Sequence, residues 1–220
     1  YENTDGLGTF TKEKVITTDA DGARTVFAAD IDGDGDMDVL SASERDYAIA
    51  WYENIDGSGN FSEKKIITTQ VNKPFSVFAA DFDGDGDFDV VSASREDDKI
   101  AWYENTDGLG TFSEQRIIST AANGAYRVYA DDIDGDGDVD VLSASYDGNK
   151  IAWYENTDGA GTFGSEIIVD QSVSGASDVK TKDMDGDGDN DLLVVAYLGD
   201  QVQWYENIDG NGTFGSQNLI

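Results

Sequence analysis

The residues best suited to chemistry form an acidic run of nine residues that occurs four times. Its first copy spans residues 30–38 and reads Asp-Ile-Asp-Gly-Asp-Gly-Asp-Met-Asp, with glycine at positions 4 and 6. Five carboxylates this close repel one another strongly unless a cation lies among them. A short loop with oxygens at alternate positions can wrap around one ion, and all-oxygen coordination rich in carboxylates favours Ca²⁺ over Mg²⁺. The predicted metal residues are Asp30, Asp32, Asp34, Asp36, Asp38, Asp81, Asp83, Asp85, Asp87, Asp89, Asp132, Asp134, Asp136, Asp138, Asp140, Asp183, Asp185, Asp187, Asp189 and Asp191.

The run is not a complete EF-hand loop, because predicted strands flank it where that motif has helices. Position 12 also lacks the bidentate glutamate of the motif and is Ser41, Ser92, Ser143 or Val194. In the first copy we assign side-chain ligands to Asp30, Asp32, Asp34 and Asp38, and a backbone carbonyl ligand to Asp36. We therefore expect about four Ca²⁺ ions, one for each run.

The composition excludes several kinds of chemistry. The 220 residues include 46 acidic and 14 basic side chains, for a formal net charge of −32, so nucleic acid and anionic lipid would be repelled. Cysteine and histidine are absent, which removes disulfides, thiolate metal sites and histidine-based catalytic triads. No apolar run approaches the roughly 18 residues of a membrane span. A hydrophobic fraction of 39% nevertheless predicts a packed core.

The whole sequence repeats with a period of 51 residues and without insertion or deletion. Each tryptophan opens the tetrapeptide Trp-Tyr-Glu-Asn, at Trp51, Trp102, Trp153 and Trp204. The motif Asp-Gly-x-Gly-x-Phe also recurs, and it ends at Phe10, Phe61, Phe112, Phe163 and Phe214. Repetition this regular predicts identical structural units in a row, with the tryptophans in the core.

Each unit contains four predicted strands, which in the first unit span residues 24–30, 38–43, 48–54 and 61–69. Four short strands per unit are typical of a β-propeller blade, with a solenoid as the alternative. The predicted fold is all-β, a β-propeller-type array of four four-stranded blades at residues 24–74, 75–125, 126–176 and 177–220. A half-blade at residues 1–23, with strands at 1–3 and 10–18, precedes them. We therefore expect a segment of a longer array or a subunit of an assembly that completes the half-blade.

These combined motifs resemble the FG-GAP/VCBS repeat family, and the resemblance covers essentially the whole chain. It implies integrin-α-like β-propeller blades, commonly seven to a ring, with Ca²⁺ in the loop that joins a blade's first two strands. It also implies a setting among adhesins, lectin-like proteins and large surface or carbohydrate-processing proteins. The fourth unit departs from the pattern, since Lys180, Thr181 and Lys182 replace the Phe-Ala-Ala of the first unit. An atypical terminal repeat is often a cap or an interface.

The antiparallel strand order predicts different loops at the two ends of each blade. The acidic loops and Asp-Gly-x-Gly turns lie at one end, and the loops that vary between repeats lie at the other. Function usually resides on variable loops over a rigid scaffold. Aromatic residues there are suited to stacking on sugars or anchoring a protein partner, with local packing as the alternative. The candidate ligand residues are Tyr47, Phe75, Tyr126, Tyr146 and Tyr197.

We expect a secreted or cell-surface, non-enzymatic module for adhesion or for glycan or protein binding, with no nucleic-acid partner and no membrane insertion. One alternative is a structural subunit of a surface fibre, built by self-assembly of blades. Another is the propeller of a polysaccharide lyase or hydrolase, whose catalytic residues would break the repeat symmetry. Tyr126 with Arg127, or Asp46 with Tyr47, would be the candidates. Neither pair forms a recognisable catalytic constellation, and the lack of histidine argues further against catalysis.

Overall fold

Short apolar and β-branched runs on either side of each acidic loop form all the regular structure of the protein. The computed structural model describes residues 1–220 and contains strands but no helix. The first blade consists of β1 (Ala23–Ala29), β2 (Asp38–Ser43), β3 (Ala48–Tyr52) and β4 (Lys65–Thr68). The other blades consist of β5 (Pro74–Ala80), β6 (Asp89–Ser94), β7 (Lys99–Tyr103), β8 (Arg116–Ser119), β9 (Ala125–Asp131), β10 (Asp140–Ser145), β11 (Lys150–Tyr154), β12 (Ile167–Asp170), β13 (Ala176–Lys182), β14 (Asp191–Ala196), β15 (Gln201–Tyr205) and β16 (Asn218–Leu219). No helix is present that could cross a membrane.

Each group of four strands forms one antiparallel sheet in sequence order. The register repeats from blade to blade, so that Leu40 pairs with Trp51 in the first blade and Val91 pairs with Trp102 in the second. The first strands of successive blades, β1, β5, β9 and β13, pack against one another, which places the blades face to face. The sheets form an open arc and not a closed ring. The prediction of an all-β array of four four-stranded blades is confirmed.

The strand limits differ from the predicted ones mainly in the hairpin between the third and fourth strands. β3 ends at Tyr52 and β4 begins only at Lys65, whereas we expected strands over residues 48–54 and 61–69. Asn54 and Phe61 are joined by an isolated bridge, and a register shift interrupts the ladder between Ile49 and Ala50. The turn is therefore closed by its own hydrogen bonds, separately from the ladder.

The two strands predicted at residues 1–3 and 10–18 are not formed. Asn3 and Phe10 make the same isolated bridge that closes the turn in every complete blade. No strand follows in residues 11–22. In a complete blade the third strand pairs with the second strand along its length, and residues 1–22 have no second strand beside them. The turn motif alone is thus enough to form the bridge, but not the hairpin.

Apolar clusters fill the spaces between successive blades. In the first cluster Leu40 and Trp51 of the first blade pack with Val90 and Tyr103 of the second. Equivalent clusters join the second blade to the third and the third to the fourth. The hydrophobic core therefore lies between sheets, so the stability of each blade depends on its neighbours.

The tryptophans are core residues in three of the four blades. Trp51, Trp102 and Trp153 are at most 3% exposed, whereas Trp204 is half-buried because no following sheet covers its face. Removing a buried tryptophan side chain costs roughly 3–5 kcal/mol, so the first three contribute strongly to the packing between blades.

Candidate metal centres

The acidic loops join the first and second strands of each blade. In the first blade the loop begins at Asp30, directly after β1, and ends at Asp38, the first residue of β2. Gly33 and Gly35 have φ angles of 72° and 94°, in the left-handed region that glycine adopts readily. The two glycines therefore reverse the backbone within a few residues and bring alternate carboxylates towards one another.

Three carboxylates from each loop come together, with oxygen atoms that all lie within 4.8 Å of one another. The sets are Asp30, Asp32 and Asp38; Asp81, Asp83 and Asp85; Asp132, Asp134 and Asp136; and Asp183, Asp185 and Asp191. Because Ca–O distances are about 2.3–2.6 Å, oxygens at this separation can share one ion. Positions 1 and 3 belong to every set, but Asp34 and Asp187 at position 5 lie outside the sets of their loops.

Several oxygen atoms in these loops are buried and have no hydrogen-bond donor. They are Asp30 Oδ1 and Asp32 Oδ1 in the first loop and Asp189 Oδ1 in the fourth. Burial, with the neighbouring carboxylates as a second cause, raises the pKa of Asp32. A buried carboxylate oxygen without a partner costs free energy, and a hard cation would remove that cost. The donor set consists of oxygen atoms alone, so these residues fit Ca²⁺.

The aspartate at position 9 joins the loop to the third strand of its blade. Asp89 is 1% exposed and accepts hydrogen bonds from the N–H groups of Phe82 (3.0 Å) and Asn105 (2.8 Å). The equivalent aspartates in the other three loops make the same two bonds. Burial raises the pKa of Asp89 to about 7 and that of Asp140 to about 7. A nearby positive charge would therefore stabilise the ionised state of Asp89 and Asp140.

The aspartate at position 7 lies outside every carboxylate set. The carboxylate of Asp87 packs against Gly108 in the Asp-Gly-x-Gly turn of its own blade, so closely that a Cβ atom at this glycine would overlap it. Asp36 contacts Gly57 in the same way. The assignment of the Asp36 backbone carbonyl as a ligand stays a prediction.

Each of the first three acidic loops is also held by the following blade. The Nδ2 atom of Asn105 donates to the carbonyl oxygen of Ile31 in the first loop (2.8 Å), and its Oδ1 atom accepts from Gly110 N–H (3.0 Å). The equivalent asparagines of the next two blades hold the second and third loops. Sequence reasoning missed this role, although the asparagine recurs as the last residue of every Trp-Tyr-Glu-Asn motif.

Comparison with known protein families agrees with this repeated geometry. The model described as FG-GAP-like repeat matches residues 1–41, 30–92, 82–143 and 132–194. This chain belongs to the FG-GAP-like repeat family. Each of the last three matches begins within one acidic loop and extends through the next, so each match contains two loops and the strands between them. The resemblance inferred from the sequence motifs is thereby confirmed.

The FG-GAP-like chain is similar in fold to several solved structures. A crystal structure of BBS1N in complex with ARL6DN, soaked with lead, has a TM-score of 0.60 at 14% identity, covering 91% of this chain and 57% of that chain. The mercury-soaked crystal of the same complex has a TM-score of 0.61 at 11% identity, with 91% and 58% covered. The V. cholerae biofilm matrix protein Bap1 has a TM-score of 0.51 at 23% identity, with 87% and 27% covered. The chain thus spans less than two thirds of each relative, and at these identities the likeness concerns the fold alone. A search of curated proteins returned no match.

At the opposite end of the FG-GAP-like blades, four of the five predicted aromatic residues form one continuous row. The ring centroids are 4.9 Å apart for Phe75 and Tyr126, 5.3 Å for Tyr126 and Tyr146, and 6.1 Å for Tyr146 and Tyr197. We call these four residues the aromatic row. Tyr47, which is 46% exposed, lies outside it in the turn between β2 and β3.

Two arginines that sequence reasoning did not select complete the aromatic row. The Arg24 guanidinium lies 4.3 Å from the ring centroid of Phe75, and that of Arg95 lies 5.3 Å from the centroid of Tyr146. Together with the row they line a cavity of about 300 Å³. Arg24 stands one repeat before Phe75, and Arg95 stands one repeat before Tyr146. Comparing equivalent positions across the FG-GAP-like units would have found both.

The residues considered for a lyase have structural partners. Arg127 Nε pairs with Asp178 at 3.0 Å, which joins the third and fourth blades. Asp46 pairs with Lys64 at 2.9 Å and accepts a hydrogen bond from Asp21 N–H at 3.1 Å. The Arg127 ion pair therefore links two blades, and the Asp46 contacts hold the loops around the first blade in place.

Proposed function

We propose that this chain is a calcium-binding β-propeller module that acts outside the cell, where it binds a ligand and does not catalyse a reaction. The observation that carries the proposal is the recurrence in all four blades of three carboxylate oxygens within 4.8 Å of one another. Buried carboxylate oxygens of Asp30 and Asp32, which have no donor, supply independent support in the first loop. Membership of the FG-GAP-like repeat family is in accord with it.

The role of the ion in this proposal is structural. The residues at positions 1, 3, 5 and 9 of each loop would hold it, and it would neutralise part of the formal charge of −32. Binding to the folded state alone adds stability by mass action, about 2.7 kcal/mol per site at a concentration 100 times the Kd. Because the following blade contacts three of the loops, calcium would also strengthen the packing between blades.

The expected calcium affinity supports a location outside the cell. Extracellular calcium modules typically bind with a Kd of about 10⁻⁴–10⁻³ M, which requires the millimolar calcium found there. The V. cholerae relative is a biofilm matrix protein, which is in accord with this location.

Calorimetric titration of the metal-free chain with CaCl₂ tests the proposal. We expect about four ions to bind and the melting temperature to rise, since each loop supplies one carboxylate set. MgCl₂ is the matched control and should bind more weakly, because Mg²⁺ loses its waters reluctantly. Absence of heat and of any thermal shift with millimolar calcium would contradict the proposal.

A second candidate function, a subunit of a self-assembled surface structure, is favoured by two incompletely covered blade faces. Val26 on the first blade is 70% exposed, whereas the equivalent Val77 is 4% exposed and lies in an interblade cluster. Val202 on the fourth blade is 47% exposed, whereas the equivalent Ile49 is fully buried. These faces are the two halves of the interface that joins successive blades, so further blades or the head-to-tail association of a second copy would bury both. Sedimentation velocity should then show species that grow with protein concentration, and a monomer at every concentration would exclude this function.

A further inference from the structure

The cavity at the variable-loop end is built by all four blades. Arg24 comes from the first blade, Phe75 and Arg95 from the second, Tyr126 and Tyr146 from the third, and Tyr197 from the fourth. Its volume of about 300 Å³ is at the lower end of the range for small-molecule sites. A cavity of this size accommodates one or two sugar rings, and all four residues of the aromatic row line it.

The aromatic row offers both ring surface and free hydroxyl groups. Tyr197 is 65% exposed, Tyr126 and Tyr146 are partly exposed, and Phe75 forms a buried floor. Aromatic faces carry negative potential and attract the polarised C–H groups on the apolar face of a pyranose ring. The tyrosine hydroxyl groups that bond to other side chains belong to Tyr103, Tyr154 and Tyr205. The hydroxyl groups of Tyr126, Tyr146 and Tyr197 are therefore available to bond a ligand.

The charges around the cavity disfavour a charged ligand of either sign. Arg24 Nε donates to Glu44 at 2.7 Å, and Arg95 makes two hydrogen bonds to Asp147 at 3.1 and 3.0 Å. An anion would therefore meet guanidinium groups that are already neutralised, on a molecule with a formal charge of −32. A cation would meet the two guanidinium groups at the aromatic faces it would need for cation–π contact.

Both arginines keep donors that are not used within the protein. A guanidinium has five N–H donors, and in Arg24 and Arg95 the bonds to Glu44 and Asp147 come from Nε and one terminal nitrogen. The remaining N–H groups are suited to the hydroxyl oxygens of a neutral ligand. Apolar stacking surface beside fixed, charge-compensated donors is a combination that suits a carbohydrate.

We propose that the aromatic row and its two arginines bind a neutral saccharide, with the exposed ring of Tyr197 stacking on a sugar ring. The hydroxyl groups of Tyr126 and Tyr146 and the remaining N–H groups of the two arginines would bond to sugar hydroxyls. This inference rests on the proposed function in one respect: the calcium loops keep the four contributing blades in register.

Calorimetric titration with defined oligomers tests the assignment. In CaCl₂ the chain would be titrated with neutral hexasaccharides of glucose and of mannose, with an anionic hexamer of galacturonic acid, and with the cationic peptide hexalysine. We expect at least one neutral hexasaccharide to bind, and Tyr146→Ala and Tyr197→Ala each to weaken binding about tenfold. Tyr47→Ala is the matched control, because Tyr47 is an exposed tyrosine outside the aromatic row. It should leave the affinity unchanged.

The outcomes separate this inference from the calcium proposal. A chain that binds calcium but no neutral hexasaccharide overturns the saccharide assignment alone. Tighter binding of hexagalacturonate or hexalysine overturns it in favour of a charged partner, and binding that survives both tyrosine substitutions places the sugar elsewhere. Saccharide binding without calcium binding would instead remove the proposed role of the acidic loops. Thermal unfolding of each variant shows whether it folds, and Tyr197, being largely exposed, is expected to be replaceable without loss of stability.

Discussion

The side chain of Asn105 donates a 2.8 Å hydrogen bond to the carbonyl oxygen of Ile31, the second residue of the acidic loop in the preceding blade. The backbone N–H of the same asparagine bonds to Asp89, the last residue of the loop in its own blade. One residue thus joins two acidic loops in adjacent blades. Any ion held by one loop is therefore linked energetically to the packing of the next blade.

Replacing Asn105 with alanine should cost about 1–3 kcal/mol of unfolding free energy, because it leaves the carbonyl group of Ile31 unpaired. Asn54→Ala is the matched control, since the Asn54 side chain donates only to Met37 in its own blade. Its cost should be smaller. Denaturant unfolding of both variants in calcium gives the comparison, and equal losses would show that the bond between blades contributes nothing.

Gly110→Ala should destabilise the protein by about 1–3 kcal/mol more than Gly59→Ala, because only the first introduces overpacking. Both glycines have similar positive φ angles, 82° and 86°, so the backbone strain is shared. A Cβ atom at Gly110 would overlap the Trp51 ring, whereas nothing lies within 4 Å of one at Gly59. Thermal unfolding of the two variants measures the difference. Identical melting temperatures would mean that Trp51 moves without cost.

Asp85→Asn should remove one calcium ion from the titration, whereas Asp87→Asn should leave the number of ions unchanged. The Asp85 carboxylate belongs to the set of the second loop, and the Asp87 carboxylate packs on Gly108 instead. The two substitutions remove the same charge from the same loop. Calorimetric stoichiometry therefore distinguishes ligation from general electrostatics, and two equal losses would show that charge alone governs binding.

The stability of the chain should depend on pH in opposite directions with and without calcium. Burial raises the pKa of Asp89 and Asp140 to about 7, so the metal-free folded state binds protons more tightly than the unfolded state. This contribution is fully present below the ordinary aspartate pKa and is lost as the pH rises through about 7. The chelated chain should thus melt at a higher temperature at about pH 5.5 than at about pH 8.

With calcium present the proposed ligands are the ionised carboxylates, so protonation should compete with the ion and the melting temperature should be higher at about pH 8 than at about pH 5.5. Melting curves at both pH values, in chelator and in calcium, check both halves of this prediction. The same pH trend under both conditions would contradict it.

The repeat made most of the fold predictable from the sequence. The 51-residue period gave the blades, and the β2 limits, Asp38–Ser43, agree with the predicted strand. The failures concern partners that lie outside a unit. Residues 10–18 have a strand-like composition but no second strand to pair with, and Trp204 has no following blade to cover it. The sequence of one segment does not show whether a strand or blade is present beside it.

The acidic loops were predictable because their chemistry is contained in nine consecutive residues. The aromatic row was only partly predictable, because its residues come from three different blades. Tyr47 also lies in a variable loop but is not part of the row. Arg24 and Arg95 were missed since an arginine paired with an acid resembles any surface ion pair in sequence.

The bonds that each following blade makes to the acidic loops give the array a direction. Ile31, Phe82 and Ile133 at the second loop position are at most 1% exposed, whereas Met184, their counterpart in the fourth loop, is 44% exposed. If the loops bind calcium as proposed, the fourth loop of this 220-residue chain should therefore lose its ion first as free calcium falls. The third loop, which Asn207 of the fourth blade contacts, should follow. The four sites would then lose their ions over a range of calcium concentrations and not at a single concentration.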